Sequence, residues 1–263
     1  MRMGDIGHLS DMDKIDDHYQ HKELKMRLAA AKIVSSSLLA IWGFANAQTP
    51  APPPAAPKSP SPPAAQVLAP QGVFAQIDTK LGQEVLRLLS QGTAQQQQGV
   101  LERVRAAPER FQPPVFYVLS QVLFKAGQQE EAAFWFYAGQ LRARFDANRC
   151  TDATARQAVD VMNQSYGGPI NRYLFQDLNK AQELIAKVVE WDRKTPHAYD
   201  PRWINLHGIQ AVQAAKDPQL AAKLTQESLS LPQSQWAALA EQTRTKYLQG
   251  FKDAITQLKV ESK

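Results

Sequence analysis

The chain has few of the residues on which covalent cross-links and most catalytic sites depend. Cys150 is the only cysteine in 263 residues, so no disulfide can form within the chain. Of the five histidines, only His197 and His207 follow residue 47. No serine stands in a G-x-S-x-G sequence, and no histidine or cysteine spacing matches a zinc-site pattern. We therefore expect a protein that is not an enzyme and that holds neither a metal nor a cofactor.

Two arrangements of the scarce reactive residues stay open. A nucleophilic triad would need Cys150 or a serine to meet a histidine and a carboxylate such as Asp192 or Asp200. A metal site would need His197, Asp200 and His207 to converge. The residue before Cys150 is an arginine, whose charge would lower the pKa of a nearby thiol. A packing role is the expected alternative for the cysteine, and a structural role for the histidines.

Long apolar runs are also absent. No run reaches the ~20 apolar residues that a membrane-spanning helix needs. The best candidate, residues 33–44, is interrupted by three serines. It follows the basic residues Arg27 and Lys32 and precedes Ala45-Asn46-Ala47, a small-x-small sequence typical of a signal-peptide cleavage site. This pattern predicts a signal peptide that is removed, not a permanent anchor.

The predicted signal peptide occupies residues 26–47, with translation starting at Met26 and cleavage between Ala47 and Gln48. Residues 1–25 contain six acidic side chains, unlike the short positive start of a signal peptide, and we expect them to be untranslated or dispensable. The mature product would be periplasmic or secreted. It would not span the membrane.

Residues 48–70 are rich in proline and alanine, a composition typical of an extended tether. The folded domain is therefore expected to comprise residues 71–263. The net charge of +5 would suit nucleic acid or an anionic surface, but the basic residues form no block. We expect a surface of mixed charge and no nucleic-acid partner.

The spacing of apolar residues from Val73 onwards predicts helices, and no alternating run predicts a strand. The expected fold is all-α: an irregular helical bundle or short solenoid of antiparallel helical hairpins. Thr93, Pro113 and Asp177 mark helix starts, and Gly127 marks a helix end. The first predicted helix includes Phe74 and Ile77, and Pro108 ends the second. The fourth covers residues 128–145, and the fifth runs through Met162 with a break at Gly167-Gly168-Pro169. Further helices are predicted over residues 203–215 and 220–229, and the last runs from Trp236 to Leu258.

One predicted hairpin resembles a known repeat. Small and aromatic residues recur where the tetratricopeptide repeat has them: Phe116, Leu119, Ser120, Leu123, Gly127, Ala132, Phe136 and Gly139. Residues 113–146 therefore resemble a single tetratricopeptide or Sel1-like helical hairpin. The resemblance implies a protein that binds segments of other proteins in a helical groove. A lone hairpin needs neighbouring helices to cover its faces.

The densest aromatic cluster of the chain lies in this hairpin, at residues 134–137. Successive helical residues point ~100° apart, so the four rings cannot all face one core. Packing between two layers of helix is the expected explanation, and a partner groove is the alternative. In that alternative Trp135 and Tyr137 would contact a partner, and Arg142 and Arg144 further along the helix would bind its acidic groups. A solvated helix end that complements the helix dipole is the simpler expectation for the two arginines.

Three classes of function remain open. The leading hypothesis is an exported, non-enzymatic module that binds another protein, and an immunity or inhibitor protein against an exported toxin would be one form of it. A helical carrier of a small apolar or anionic ligand is the second. An enzyme is the third. The sequence names no partner.

Overall fold

The computed structural model describes residues 68–261. Over this range the chain is all-α, as expected, with nine α-helices, several short 3-10 helices and one isolated β-bridge between Cys150 and Ser230. No helix in the described range is long and apolar enough to cross a membrane. The predicted signal peptide, its cleavage site at Ala47 and Gln48, and nearly all of the predicted tether lie outside the described residues.

Six helices form three consecutive hairpins joined by the short turns 92–93, 126–128 and 175–177. Such short connections make the two helices of each pair antiparallel. The pairs are α1 (Lys80–Gln91) with α2 (Ala94–Ala106), α3 (Pro113–Lys125) with α4 (Gln129–Arg149), and α5 (Gln157–Leu174) with α6 (Leu178–Lys194). They are followed by α7 (Ile209–Lys216), α8 (Pro218–Lys223) and α9 (Trp236–Glu261).

Local chemistry sets the turns of these hairpins. Thr93 caps α2 in a capping box, because its hydroxyl accepts from the backbone of Gln96 and the Gln96 side chain accepts from the backbone of Thr93. Gly127, between α3 and α4, has a φ of 80°, which favours glycine. Asp177 accepts hydrogen bonds from the first backbone N–H groups of α6. Each of these positions was predicted from the sequence.

The first helices of the three hairpins form one layer. Helix α1 packs on α3, and α3 packs on α5. The Tyr117 hydroxyl donates to Asn163 Oδ1 at 2.8 Å, and the rings of Phe124 and Tyr173 lie 6.3 Å apart further along. The later residue of α3 contacts the later residue of α5, so the two helices run parallel.

Helix α4 lies behind this layer and packs against α3, α5, α6 and α9. The ring of Phe116 stacks on Trp135 at 5.2 Å, and Phe136 meets Tyr117 edge-on at 5.4 Å. Gly139 lets α3 approach closely, since a Cβ there would lie 3.1 Å from the Cβ of Phe116. Trp135, Phe136 and Tyr137 are buried and Phe134 is half-buried, so most of the aromatic cluster packs between helices, as expected.

The structure corrects the predicted start of the first helix. Helix α1 begins at Lys80, and the residues before it form a 3-10 helix at Gly72–Gln76. Phe74 and Ile77 do not share the face of α1 but pack with α7 and α8 in a second, smaller core. The spacing of apolar residues could not show that Phe74 and Ile77 pack in a different core from the residues of α1, because residues of both cores are apolar and follow the same three- and four-residue steps.

The predicted break in the fifth helix is also wrong. Helix α5 continues through Gly167, Gly168 and Pro169 to Leu174. Its buried stripe continues on the face against α4, so packing offsets the hydrogen bond that the proline cannot make. The stripe comprises Val159, Asn163, Gly167, Ile170 and Leu174.

Other predicted bounds shift by shorter distances. Helix α4 extends to Arg149, four residues beyond the expected end. The expected helix over residues 203–215 is a 3-10 helix, Pro201–His207, followed by α7. Gly208 separates them, and a Cβ at this glycine would lie 2.3 Å from Oδ2 of Asp152, which accepts from the Gln210 backbone. The expected helix over residues 220–229 is reduced to α8 and a 3-10 turn.

Candidate interaction surface

Three of the four residues predicted to contact a partner lie in the core. Trp135, Tyr137 and Arg142 are buried, with Arg142 completely inaccessible. Only Arg144 is half-buried, and its guanidinium lies over the ring of Tyr247 at 5.6 Å. The prediction of an exposed groove at these residues is corrected, because α6 and α9 cover the side of α4 that carries them.

Arg142 is held by a carboxylate from another helix. Its Nε donates to Oδ1 of Asp192 at 2.9 Å, and Oδ2 of the same carboxylate accepts from Arg244 Nε at 2.9 Å. The ring Nε2 of His197 lies 3.0 Å from Oδ1. The Arg142 guanidinium also lies 4.5 Å from the ring centre of Trp191. Asp192 therefore joins α4, α6, the following loop and α9.

A second buried carboxylate lies one turn further along α4. Oδ2 of Asp146 accepts from Trp203 Nε1 at 2.7 Å and from the Tyr199 hydroxyl at 3.0 Å. Its Oδ1 accepts from Nε of Arg149 at 3.4 Å. Nη1 of the same arginine donates to the Ser230 hydroxyl at 3.1 Å. The four-residue and three-residue steps from Arg142 to Asp146 to Arg149 place all three on one face of α4.

Burial and the surrounding charges act differently on the two carboxylates. Burial acts to raise the pKa of Asp192, but the hydrogen bond from His197 and the charges of Arg142 and Arg244 outweigh it and lower this pKa to about 2. At Asp146 burial prevails and raises the pKa, although the charge of Arg149 opposes it. These groups join α4 to α6, to α9 and to the segments that carry Tyr199 and Trp203.

The other reactive residues do not assemble a catalytic or metal centre in the described range. Cys150 is buried. Its thiol accepts a hydrogen bond from Asn205 and donates one to the Asp152 carbonyl, and burial raises the pKa of the thiol to about 11. The charge of Arg149 acts to lower this pKa, as the alternative supposed, but burial outweighs it, and the cysteine has the packed position that was expected. Asp200 pairs with Arg202, and no group of three metal-ligand side chains occurs between residues 68 and 261.

The layer formed by α1, α3 and α5 presents one face that no described helix covers. Helix α3 turns its deeply buried residues towards α4, and the opposite stripe is half-buried or exposed: Pro114, Val118, Gln121, Val122 and Lys125. Helix α5 presents a similar stripe beside it: Val161, Met162, Ser165, Pro169 and Arg172. Val161 is the most accessible apolar side chain of these two stripes, at 60% exposed. We call these two stripes the α3–α5 face.

Sequence reasoning missed the α3–α5 face because it ended the fifth helix at Met162. A helix that ends at Met162 does not include Ser165 and Arg172. Val161 then has no later residue of the same helix beside it on the surface. A signal was available, because exposed residues of α5 recur at steps of three and four. The buried ion pairs were also missed, although the spacing of Arg142, Asp146 and Arg149 places them on one side of a helix.

Comparisons with protein families, with curated proteins and with solved structures find no match to this chain. Its function is therefore argued from the geometry of its own residues.

Proposed function

We propose that the protein is an exported, non-enzymatic module that binds another protein on the α3–α5 face. The observation that carries this proposal is the set of incompletely buried apolar side chains on the outer sides of α5 and α3, where Val161 is 60% exposed and Val118 and Val122 are half-buried. Apolar side chains that stay accessible on neighbouring helices favour contact with a partner, because binding removes them from water.

The condition of the reactive residues supports a binding role over an enzymatic one. Asp192 is engaged with His197 and with two arginines, and Cys150 is buried with a raised pKa. A catalytic group must reach its substrate, whereas these groups hold helices together. The resemblance of residues 113–146 to a single tetratricopeptide or Sel1-like hairpin stays a prediction, and the hairpins on either side supply the neighbours that such a unit needs.

The docking face can be tested with a pair of matched variants. Val161→Asp places a charge in the α3–α5 face, and Val260→Asp places one at a similarly exposed position, 70% accessible, near the end of α9. Both variants and the parent chain would be used to capture partners from periplasmic extract. We expect Val161→Asp alone to lose a protein that the other two retain. A partner kept by Val161→Asp would contradict docking at this face.

Export to the periplasm or beyond is the second part of the proposal. It rests on the basic, apolar and small-residue pattern of residues 26–47. Fractionation of cells that produce the full chain, followed by N-terminal sequencing, should recover a product that begins at Gln48. A chain found in the cytoplasm with the Ala47–Gln48 bond intact would contradict export. A precursor that still contains Lys25 would contradict the start at Met26.

A further inference from the structure

The α3–α5 face carries charge of one sign. Lys125 is the only charged residue of α3, and Arg172 lies at the same end of the neighbouring α5. Neither side chain has a hydrogen bond or an ion pair with another residue of the described part of the chain. Both cations are exposed. They are therefore available to a partner that docks beside them.

Two carboxylates at the start of the neighbouring α4 are bound by other cations. Glu130 and Glu131, at the start of α4, are engaged by Lys180 and Arg105. Asp160, the one acidic residue of α5, points about 100° away from the adjacent Val161 around the helix axis. The surface thus combines an apolar centre with a basic end.

The distances along the helices set the size of a matching segment. From Val161 to Arg172 is eleven residues of α5, or about 16 Å at about 1.5 Å per residue. From Val118 to Lys125 is about 10 Å on the parallel α3. A partner that meets both features needs apolar side chains over most of its length and acidic ones at a single end.

We propose that the α3–α5 face binds a partner segment of about ten residues that packs apolar side chains on Val118, Val122 and Val161 and directs acidic side chains to Lys125 and Arg172. This inference rests on the proposed function and adds the chemistry of the partner. Opposite charge across an interface favours the correct partner and its orientation, and apolar contact supplies most of the affinity.

Random peptides displayed on phage would test this inference with the full chain as the target. We expect the enriched peptides to carry apolar residues and an excess of Asp and Glu over Lys and Arg. The most enriched peptide, synthesised with a fluorescent label, should bind at least about 10-fold more weakly to the double variant Lys125→Glu/Arg172→Glu. Raising the salt concentration from about 0.05 to about 0.5 M should also weaken its binding to the parent chain.

Two further variants make the outcome decisive. Lys216→Glu/Lys223→Glu reverses two exposed charges on α7 and α8 and should change the affinity less than about 2-fold. Lys125→Gln/Arg172→Gln removes the same charges without reversing them and replaces the first variant if that one does not fold, which a thermal melt would reveal.

The results separate this inference from the function on which it rests. Peptides without acidic excess that are lost on Val161→Asp would overturn the acidic partner and leave the docking face in place. Peptides that tolerate Val161→Asp would overturn both. Failure to enrich any peptide would overturn the claim that a segment of this length suffices.

Discussion

At the scale of single residues, Asp192 joins three helices and a loop. It accepts hydrogen bonds from Arg142 and Arg244 and contacts His197, although only 3% of its side chain is exposed. Its removal leaves buried arginine charge without an anion, which costs far more free energy than the loss of an exposed ion pair. The energetic weight of the interior thus depends on a few polar side chains as well as on apolar packing.

We expect Asp192→Ala to lower the free energy of unfolding by about 3–5 kcal/mol. The matched control is Glu190→Ala, which breaks exposed contacts with Arg193 and Lys194 at the same end of α6. That change should leave the melting temperature nearly unaltered, because solvent screens such pairs. Urea unfolding followed by circular dichroism would measure both. Equal losses in the two variants would contradict a special role for the buried carboxylate.

Acid should weaken the contribution of Asp192. Its folded-state pKa of about 2 lies below the ordinary value of 3.8, so its stabilising effect is complete above about pH 4 and is lost as the pH falls towards 2. A shift from 3.8 to about 2 corresponds to about 2.5 kcal/mol of stability in full, at about 1.4 kcal/mol per unit of pKa, and about 2 kcal/mol of it is lost between pH 5 and pH 2. The raised pKa of Asp146 has the opposite effect on the pH dependence of stability. This effect is the same in the parent chain and in a variant at Asp192, so it cancels in the difference between their stabilities.

The measurement compares the parent chain with Asp192→Asn by urea unfolding between pH 5 and pH 2. The stability advantage of the parent should shrink by about 2 kcal/mol over this range. An advantage that stays constant down to pH 2 would show that protonation of Asp192 does not control its contacts.

At the scale of elements, α5 shows how packing overrides local propensity. Two glycines and a proline in succession favour a break, yet the helix continues because Ile170 and Leu174 extend its buried stripe. The two glycines differ in their surroundings. A Cβ at Gly167 would lie 3.0 Å from Cζ of Phe136, whereas a Cβ at Gly168 would meet nothing closer than the flexible end of Arg172 at 3.7 Å.

Alanine at these two glycines should therefore act with opposite sign. Gly167→Ala should destabilise the protein by about 1–3 kcal/mol, because the ring of Phe136 must move within a packed core. Gly168→Ala should stabilise it by about 0.5–1 kcal/mol, because alanine loses less backbone entropy in a helix. Thermal or urea unfolding of the pair supplies its own control. Stabilisation by both substitutions would contradict the close contact of α5 with α4.

Prediction of elements from the sequence succeeded where the deciding residues are neighbours. Thr93 and Gln96, or Asp177 and Lys180, lie within one turn of each other, so a cap is legible in the sequence. The end of α5 failed because it depends on contacts with α4, which starts nearly thirty residues earlier. The start of α1 failed for the same reason, since Phe74 and Ile77 belong to a core completed by α7 and α8.

At the scale of the whole molecule, the N-terminal part of the domain contributes through the second core. Val73, Phe74 and Ile77 pack against Ala211, Ala214 and Ala221. Leu68, at the start of the described residues, is 40% exposed. Folding energy should therefore depend on residues 71–77 and not on the proline-rich residues that precede them.

Deletion of residues 48–70 should change the free energy of unfolding by less than about 0.5 kcal/mol, because a Pro/Ala segment has few side chains that gain from burial. Extending the deletion through residue 77 removes three buried apolar side chains and should cost about 3 kcal/mol or more. Thermal melts of both truncated chains and the parent would decide. A clear fall in melting temperature after the shorter deletion would contradict the tether.

The sequence by itself determined the helical class, most helix starts and the lone, unpaired cysteine, because these depend on composition and on residues within a turn of one another. Only the tertiary structure decided which faces are buried. Arginine is usually found at the surface, but Arg142 is fully buried. Asp192, 50 positions away, supplies the anion that pairs with it, and Arg244, 102 positions away, binds the same carboxylate and lies on the helix that covers the pair. The α3–α5 face became visible by the same route, since it is the part of the hairpin layer that packing in the described chain leaves uncovered.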